Sequence, residues 1–140
     1  MNTTNAKDVK KFLDFTYNVS DIVEKEKWVL RYDLETDSLS CRVSKLPDDA
    51  RIKYFGDEFA FYMTKDNKIK GIFIEYFSSN FIKHHKEAKD FKIALDTKKK
   101  ELKLKNSDNN LISLRRNKRI ISELAEAMQM AFAARLTTAL

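Results

Sequence analysis

The residues Glu58-Phe-Ala-Phe-Tyr-Met-Thr-Lys-Asp-Asn-Lys-Ile-Lys-Gly-Ile-Phe-Ile-Glu-Tyr-Phe77 carry the clearest secondary-structure signal in the chain. Side chains of a strand alternate between two faces, so Phe59, Phe61 and Met63 share one face of the first half, and Ile72, Ile74 and Tyr76 share one face of the second. Lys65-Asp-Asn-Lys68 between them has turn chemistry, and the pair reads as a β-hairpin. Ala60, Tyr62, Phe73 and Phe77 leave the opposite face partly apolar. This points to a sheet covered twice, by a helix on one side and by a second element or subunit on the other.

Working outward, Trp28, Leu30 and Tyr32 alternate with polar or smaller residues, as do Leu39, Cys41 and Val43 after the connection Leu34-Glu-Thr-Asp37. A second hairpin is expected there, ended by Pro47, which has no amide proton for a ladder. Before it, Val9, Phe12, Leu13, Thr16, Val19 and Val23 recur at helical spacing, giving one amphipathic helix from Asn5 to about Lys25, or two interrupted at Asn18 to Asp21. After Phe77, Ser79-Asn80 is expected to cap a short helix through Asp90. Phe91, Ile93 and Leu95, then Leu102 and Leu104, alternate with mostly polar residues and read as a third hairpin, whose spacing echoes the first as a possible repeat. Asn106 to Asn110 is a polar loop. Ile121, Leu124, Met128, Phe132 and Leu136 mark one stripe of a C-terminal helix running from Leu111 or Ser113 to Thr137, with alanines and methionines that suit close packing or a homodimer. The expected class is α+β: antiparallel hairpins flanked by an N-terminal helix and a long C-terminal helix, in a single domain over residues 1–140.

Composition agrees with a folded chain: of 140 residues 43% are apolar and 34% charged, so the core is not starved and no sign of charge dominates. No apolar run approaches membrane-span length, and residues 1–8 lack a secretory signal, so a cytoplasmic protein with no membrane partner is expected. The lone Cys41 fits a reducing compartment and a place in the core. The net charge of +6 is uneven. Residues 1–79 hold 13 Lys and Arg against 14 Asp and Glu, and residues 80–140 hold 14 against 7, a segregation suited to nucleic acid or an acidic protein.

The stretch from Trp28 to Phe77 resembles the YuzE-like bacterial family of unknown function, through Tyr32-Asp-Leu-Glu-Thr-Asp-Ser-Leu39, Gly56, and Asp66-Asn-Lys-Ile-Lys-Gly-Ile-Phe-Ile74. The chain departs from the family pattern at Asn67, where a glycine is usual, and at Phe73, where an acidic residue is common. The resemblance implies a compact β-rich module of bacterial and phage-type genomes, and it transfers no active site.

Catalytic chemistry has little footing in the residues. The adjacent His84 and His85 lack a further His or Cys at chelating offset, so a metal site is not expected, nor is a cofactor. Asp90 or Asp96 followed by Glu101-Leu-Lys103 superficially resembles a metal-dependent nuclease, but alternation on an exposed strand explains it as well. There is no Gly-rich phosphate loop or serine elbow. The best binding residues are Arg115, Arg116, Lys118 and Arg119, with Lys98, Lys99 and Lys100. Guanidinium pairs with phosphate or carboxylate through two aligned hydrogen bonds, and cations at a helix start run against its dipole. The reading is a non-enzymatic interaction protein, of the antitoxin or immunity type, binding a protein partner. The alternative is a nucleic-acid-binding module using the basic C-terminal part.

Overall fold

The computed structural model describes residues 6–55, 58–105 and 110–139, with side chains for 9–55, 58–105 and 110–134. Helices α1 (Ala6–Thr16) and α2 (Val19–Glu26) precede strands β1 (Val29–Asp33), β2 (Ser38–Arg42), β3 (Arg51–Phe55), β4 (Phe59–Met63) and β5 (Ile69–Ile74). A π-turn over Phe77–Phe81 leads to the short α3 (Ile82–His84) and a 3-10 turn at Lys86–Ala88. Then come α4 (Lys89–Leu104), β6 (Leu111–Leu114) and α5 (Lys118–Ala139). The class is α+β with a long C-terminal helix, and the strands pair antiparallel in one sheet ordered β3-β4-β5-β2-β1-β6.

Local chemistry explains most of the boundaries. The hydroxyl of Thr16 donates back to Leu13 O at 2.6 Å and the Asn18 amide to Asp14 O at 3.1 Å, diverting the backbone between α1 and α2. Lys27 takes a left-handed φ of 58° and releases the chain into β1. Between β1 and β2 the Asp33 carboxylate accepts the Glu35 N–H at 2.9 Å, an Asx turn, and Asp37 takes a φ of 51°. Asn67, with φ 65°, turns β4 into β5. Beyond β2 the Pro47 carbonyl closes a turn with Ala50 N–H at 3.0 Å, so the strand ends before the proline as expected.

The two faces of the sheet differ. Phe59, Phe61, Met63, Ile72, Ile74, Leu39, Cys41, Leu30, Tyr32, Ile112 and Leu114 line one face and are buried. The helices supply its cover. Phe12 of α1 stacks on Phe61 at 4.5 Å between ring centres, and Phe132 of α5 meets Phe55 at 4.5 Å and Phe59 at 5.2 Å. The stripe Ile121, Leu124, Met128 and Phe132 is therefore intramolecular core, while the side chain of Leu136 lies outside the described residues. On the other face Ile52 is 45% and Tyr54 44% exposed, so among the described residues that face is left open at the β3 edge.

Three readings of the sequence are overturned. Phe91 to Leu104 is not a hairpin but helix α4, and with the hairpin goes the repeat. Phe91 and Leu95 are buried and Ala94 and Leu102 partly so, a helical stripe, whereas Ile93 is 62% and Leu104 87% exposed. Asp96-Thr-Lys-Lys-Lys100 contains no glycine or asparagine for a tight turn, and lysine, glutamate and leucine favour a helix. Leu111–Leu114 does not start the last helix. It is the edge strand β6, paired with β1 through Leu30↔Leu114 and Tyr32↔Ile112. Ser79-Asn80 caps no helix, because the chain enters the π-turn through Tyr76 at φ 53°, which also takes Tyr76 and Phe77 off β5. Gly56 and residues 106–109 of the expected loop lie outside the described residues. Among the described residues no helix is long and apolar enough to cross a membrane.

Candidate binding surfaces

The basic residues singled out in the sequence do not act as one cluster. Arg116 is half-buried, pairing with Glu24 at 3.1 Å and donating to the Trp28 carbonyl at 3.4 Å, so it ties the start of α5 to the end of α2. Arg119 meets Asp90 at 3.5 Å, and Lys98 meets Glu101 at 3.4 Å one turn along α4. Lys99 lies over the Tyr32 ring at 5.1 Å and donates to Ser78. Arg115, Lys118 and Lys100 make no ion pair or side-chain hydrogen bond with other described residues. The fold does bring Lys98 and Arg115 together, on the lining of a cleft of about 260 Å³ between α4 and the β6–α5 connection. Asp90, Asp96 and Glu101 stand on successive turns of α4, paired with Arg119, Lys92 and Lys98, so no acid-acid-lysine strand exists. Among the described residues no group of His, Cys, Asp and Glu is placed to hold a metal ion.

The two histidines separate. His84 ends α3 and is exposed, while His85 adopts φ −127° and ψ 81°, stacks on Phe81 at 4.4 Å and is only 9% exposed. Its Nε2 meets the Glu58 carboxylate at 3.1 Å and its Nδ1 meets that of Glu87 at 3.1 Å. Carboxylates only accept, so both contacts are hydrogen bonds in the imidazolium form of His85, where both ring nitrogens donate. The hydrogen bond to Glu58 raises its pKa above the usual 6.5; burial opposes this, and the charges of Glu58 and Glu87 add to the rise. A raised folded-state pKa means that His85 contributes its full stabilisation below 6.5 and loses it as pH rises through the folded value. Denaturant unfolding across this range is expected to show the wild type losing stability with rising pH, with a flatter profile for His85→Gln. Parallel profiles would show that the ion pairs do not form.

A second polar cluster is structural. Asp37 accepts the Tyr32 hydroxyl at 2.5 Å, the Ser78 and Ser79 N–H groups at 2.8 and 3.0 Å, and the Ser79 hydroxyl at 2.7 Å. Burial works to raise its pKa, but these hydrogen bonds, that from Tyr32 foremost, outweigh it and hold the carboxyl below the usual range. Burial and the Asp37 contact in turn push the Tyr32 phenol up to about 12. The result fastens the β1–β2 turn to the π-turn.

A third candidate is the outer face of the sheet, and it comes from residues read only as a partly apolar second face. Register places Tyr54, Ala60, Phe73, Ser40, Arg31 and Ser113 in one row across all six strands. Ile52, Tyr62, Gly71, Arg42 and Val29 form the adjacent row. The Arg42 guanidinium lies 5.7 Å from the Tyr62 ring centre, and Tyr62 meets Phe73 edge-on at 6.4 Å. Gly71 permits this approach: a Cβ there would stand 2.4 Å from Arg42 Cβ and 2.8 Å from Tyr62 Cδ2. In the first row small residues thus alternate with rings and an arginine, and Tyr54 is exposed while Tyr62 and Phe73 are partly buried. Comparison with known proteins adds no relative: no family model, curated protein or solved structure matches the chain.

Proposed function

We propose that the protein is a non-enzymatic interaction protein of the antitoxin or immunity type, which binds an acidic protein partner through the outer face of its sheet. The observation that carries this is the pair of cross-sheet rows. Tyr54, Tyr62, Phe73, Arg31 and Arg42 are the residue types that dominate interface energetics, and here they are presented on a rigid platform. A surface already ordered by the Arg42–Tyr62 stack loses little side-chain freedom on binding. On this face Arg31 and Arg42 would meet the carboxylates of an acidic partner.

The same rows support a second reading, because rings interleaved with arginine also stack unpaired bases. Two variants separate the readings. One alters the face, Tyr54→Ser with Arg42→Glu, and the other alters the basic residues, with Lys98, Lys100, Arg115 and Lys118 changed to Gln and the structural Arg116 left in place. Affinity capture from the native host is expected to retain an acidic protein on the wild type and on the basic-residue variant, and to lose it on the face variant. Retention by the face variant would reject the face as the contact. Tight single-strand binding by the wild type, with affinity falling steeply as salt rises, would favour nucleic acid.

A further inference from the structure

A cavity of about 460 Å³ opens beside the core, lined by Phe55, Glu58, Phe59, Asn80, His84, Ala131 and Phe132. This is the size of a small-molecule site, with three phenyl rings for walls and three polar residues on one side. We propose that this cavity binds an organic cation, a primary ammonium group on an apolar stem.

The hydrogen bonds already made within the protein fix what the polar residues can still offer. The Asn80 side-chain amide approaches Glu58 Oε1 at 3.3 Å; a carboxylate only accepts, so the Nδ2 side must face it and the Oδ1 remains an acceptor. His84 Nδ1 lies 2.8 Å from the Asn80 backbone carbonyl, which also only accepts, so Nδ1 carries a proton, and in the neutral form of the ring Nε2 is an acceptor. Glu58 takes hydrogen bonds from His85 Nε2 and from Asn80, and a carboxylate has room for about four in all. Glu58 and Asn80 therefore present acceptors to the cavity, as does His84 with its ring neutral, and no lysine or arginine is among the described lining residues. A ligand rich in N–H donors is the complement to such a set.

Charge and ring chemistry point the same way. With both carboxylates ionised, Glu58 and Glu87 have a single protonated His85 between them, and the group then carries one net negative charge. Phe55, Phe59 and Phe132 line the cavity with aromatic rings, a surface that attracts cations where a ring face is met and accommodates an apolar stem elsewhere. A neutral ligand of the same shape gains only the second benefit. The ammonium group has two sources, a free amine or a lysine side chain presented by a partner.

The test is an NMR titration of the full chain with phenethylammonium, with the neutral isostere 2-phenylethanol, and with lysine capped at both backbone ends. Phenethylammonium or capped lysine is expected to shift the Asn80 side-chain amide and the His84 ring and to bind at least about tenfold more tightly than 2-phenylethanol, a margin of one charge-assisted contact. Tighter binding of phenethylammonium identifies a free amine, and tighter binding of capped lysine a partner's side chain. Glu58→Gln should remove the preference for charge, and Ala131→Phe should block both cations by filling the cavity while leaving the polar groups in place. Since Glu58→Gln also disturbs His85, the exposed His84→Leu, which removes one acceptor, should weaken the cations and leave 2-phenylethanol unaffected. Equal affinity for phenethylammonium and 2-phenylethanol, or no shift at Asn80 and His84 with either cation at millimolar concentration, overturns the proposal.

Discussion

Replacing Phe61 by alanine is expected to cost about 3–5 kcal/mol, the range for truncating a large buried ring. Phe61 is 0% exposed and lies at the centre of the ring cluster. It stacks on Phe12 at 4.5 Å, meets Phe15 edge-on at 5.9 Å and contacts Phe132 at 6.0 Å, so one substitution loosens the contacts of β4 with both α1 and α5. Neighbouring rings are held by their own backbones and close the gap only in part, which adds a cavity term to the lost transfer energy. Equilibrium denaturation measures the loss. A value below about 1 kcal/mol, that of an average surface substitution or less, would mean that Phe61 does not face the helices.

Replacing Glu123 by alanine is expected to cost about 2–3 kcal/mol, with Glu123→Gln costing clearly less. Glu123 belongs to α5, is only 8% exposed, and accepts the N–H groups of Asp90 at 3.2 Å and Phe91 at 2.9 Å. These are first-turn amides of α4, and Ala88, which precedes that helix, has no side chain to cap them. The carboxylate therefore performs the capping from another element, at the positive end of the helix dipole. Alanine leaves two donors without a partner, while glutamine keeps one acceptor in the same place. Equal costs for the two variants would mean that charge and acceptor contribute nothing and that only packing is lost.

Legibility in the sequence follows how each element is buried. Strands β1 and β2 were readable because one face is buried and the other is not, which produces clean alternation, and β4 and β5 because their large apolar residues recur every second position although Ala60 and Gly71 of the other face are buried too. Strand β3 gave no such signal: Arg51, Ile52, Lys53 and Tyr54 are all exposed at the sheet edge, so nothing in the pattern separates its faces. Helix α4 was misread because Phe91, Ile93 and Leu95 satisfy a period of two as well as a helical one, and only tertiary burial selects Phe91 and Leu95 over Ile93. The α4 cap was invisible because it comes from a residue 32 to 33 positions away. Among the binding residues, charge runs marked the basic cluster but not which cations are engaged, since Glu24, Asp90 and Glu101 are brought to them by the fold. The outer-face rows and the Glu58–His85 contact depend on strand register and on a connection of 27 residues, neither of which local spacing encodes.

The cover of the sheet also dictates an order of events during synthesis. Strands β1 to β5 carry the core rings of Tyr32, Phe55, Phe59 and Phe61, but their buried face is closed by Phe132 of α5, and β6 completes the sheet by pairing Leu114 with Leu30. As the chain leaves the ribosome, the hairpins are finished while α5 is still unmade, so Phe55, Phe59 and Phe61 must wait uncovered or be held by α1 alone. Nascent chains stalled before Lys118 would present an aromatic sheet surface to chaperones, and release of the last helix is the step that withdraws it.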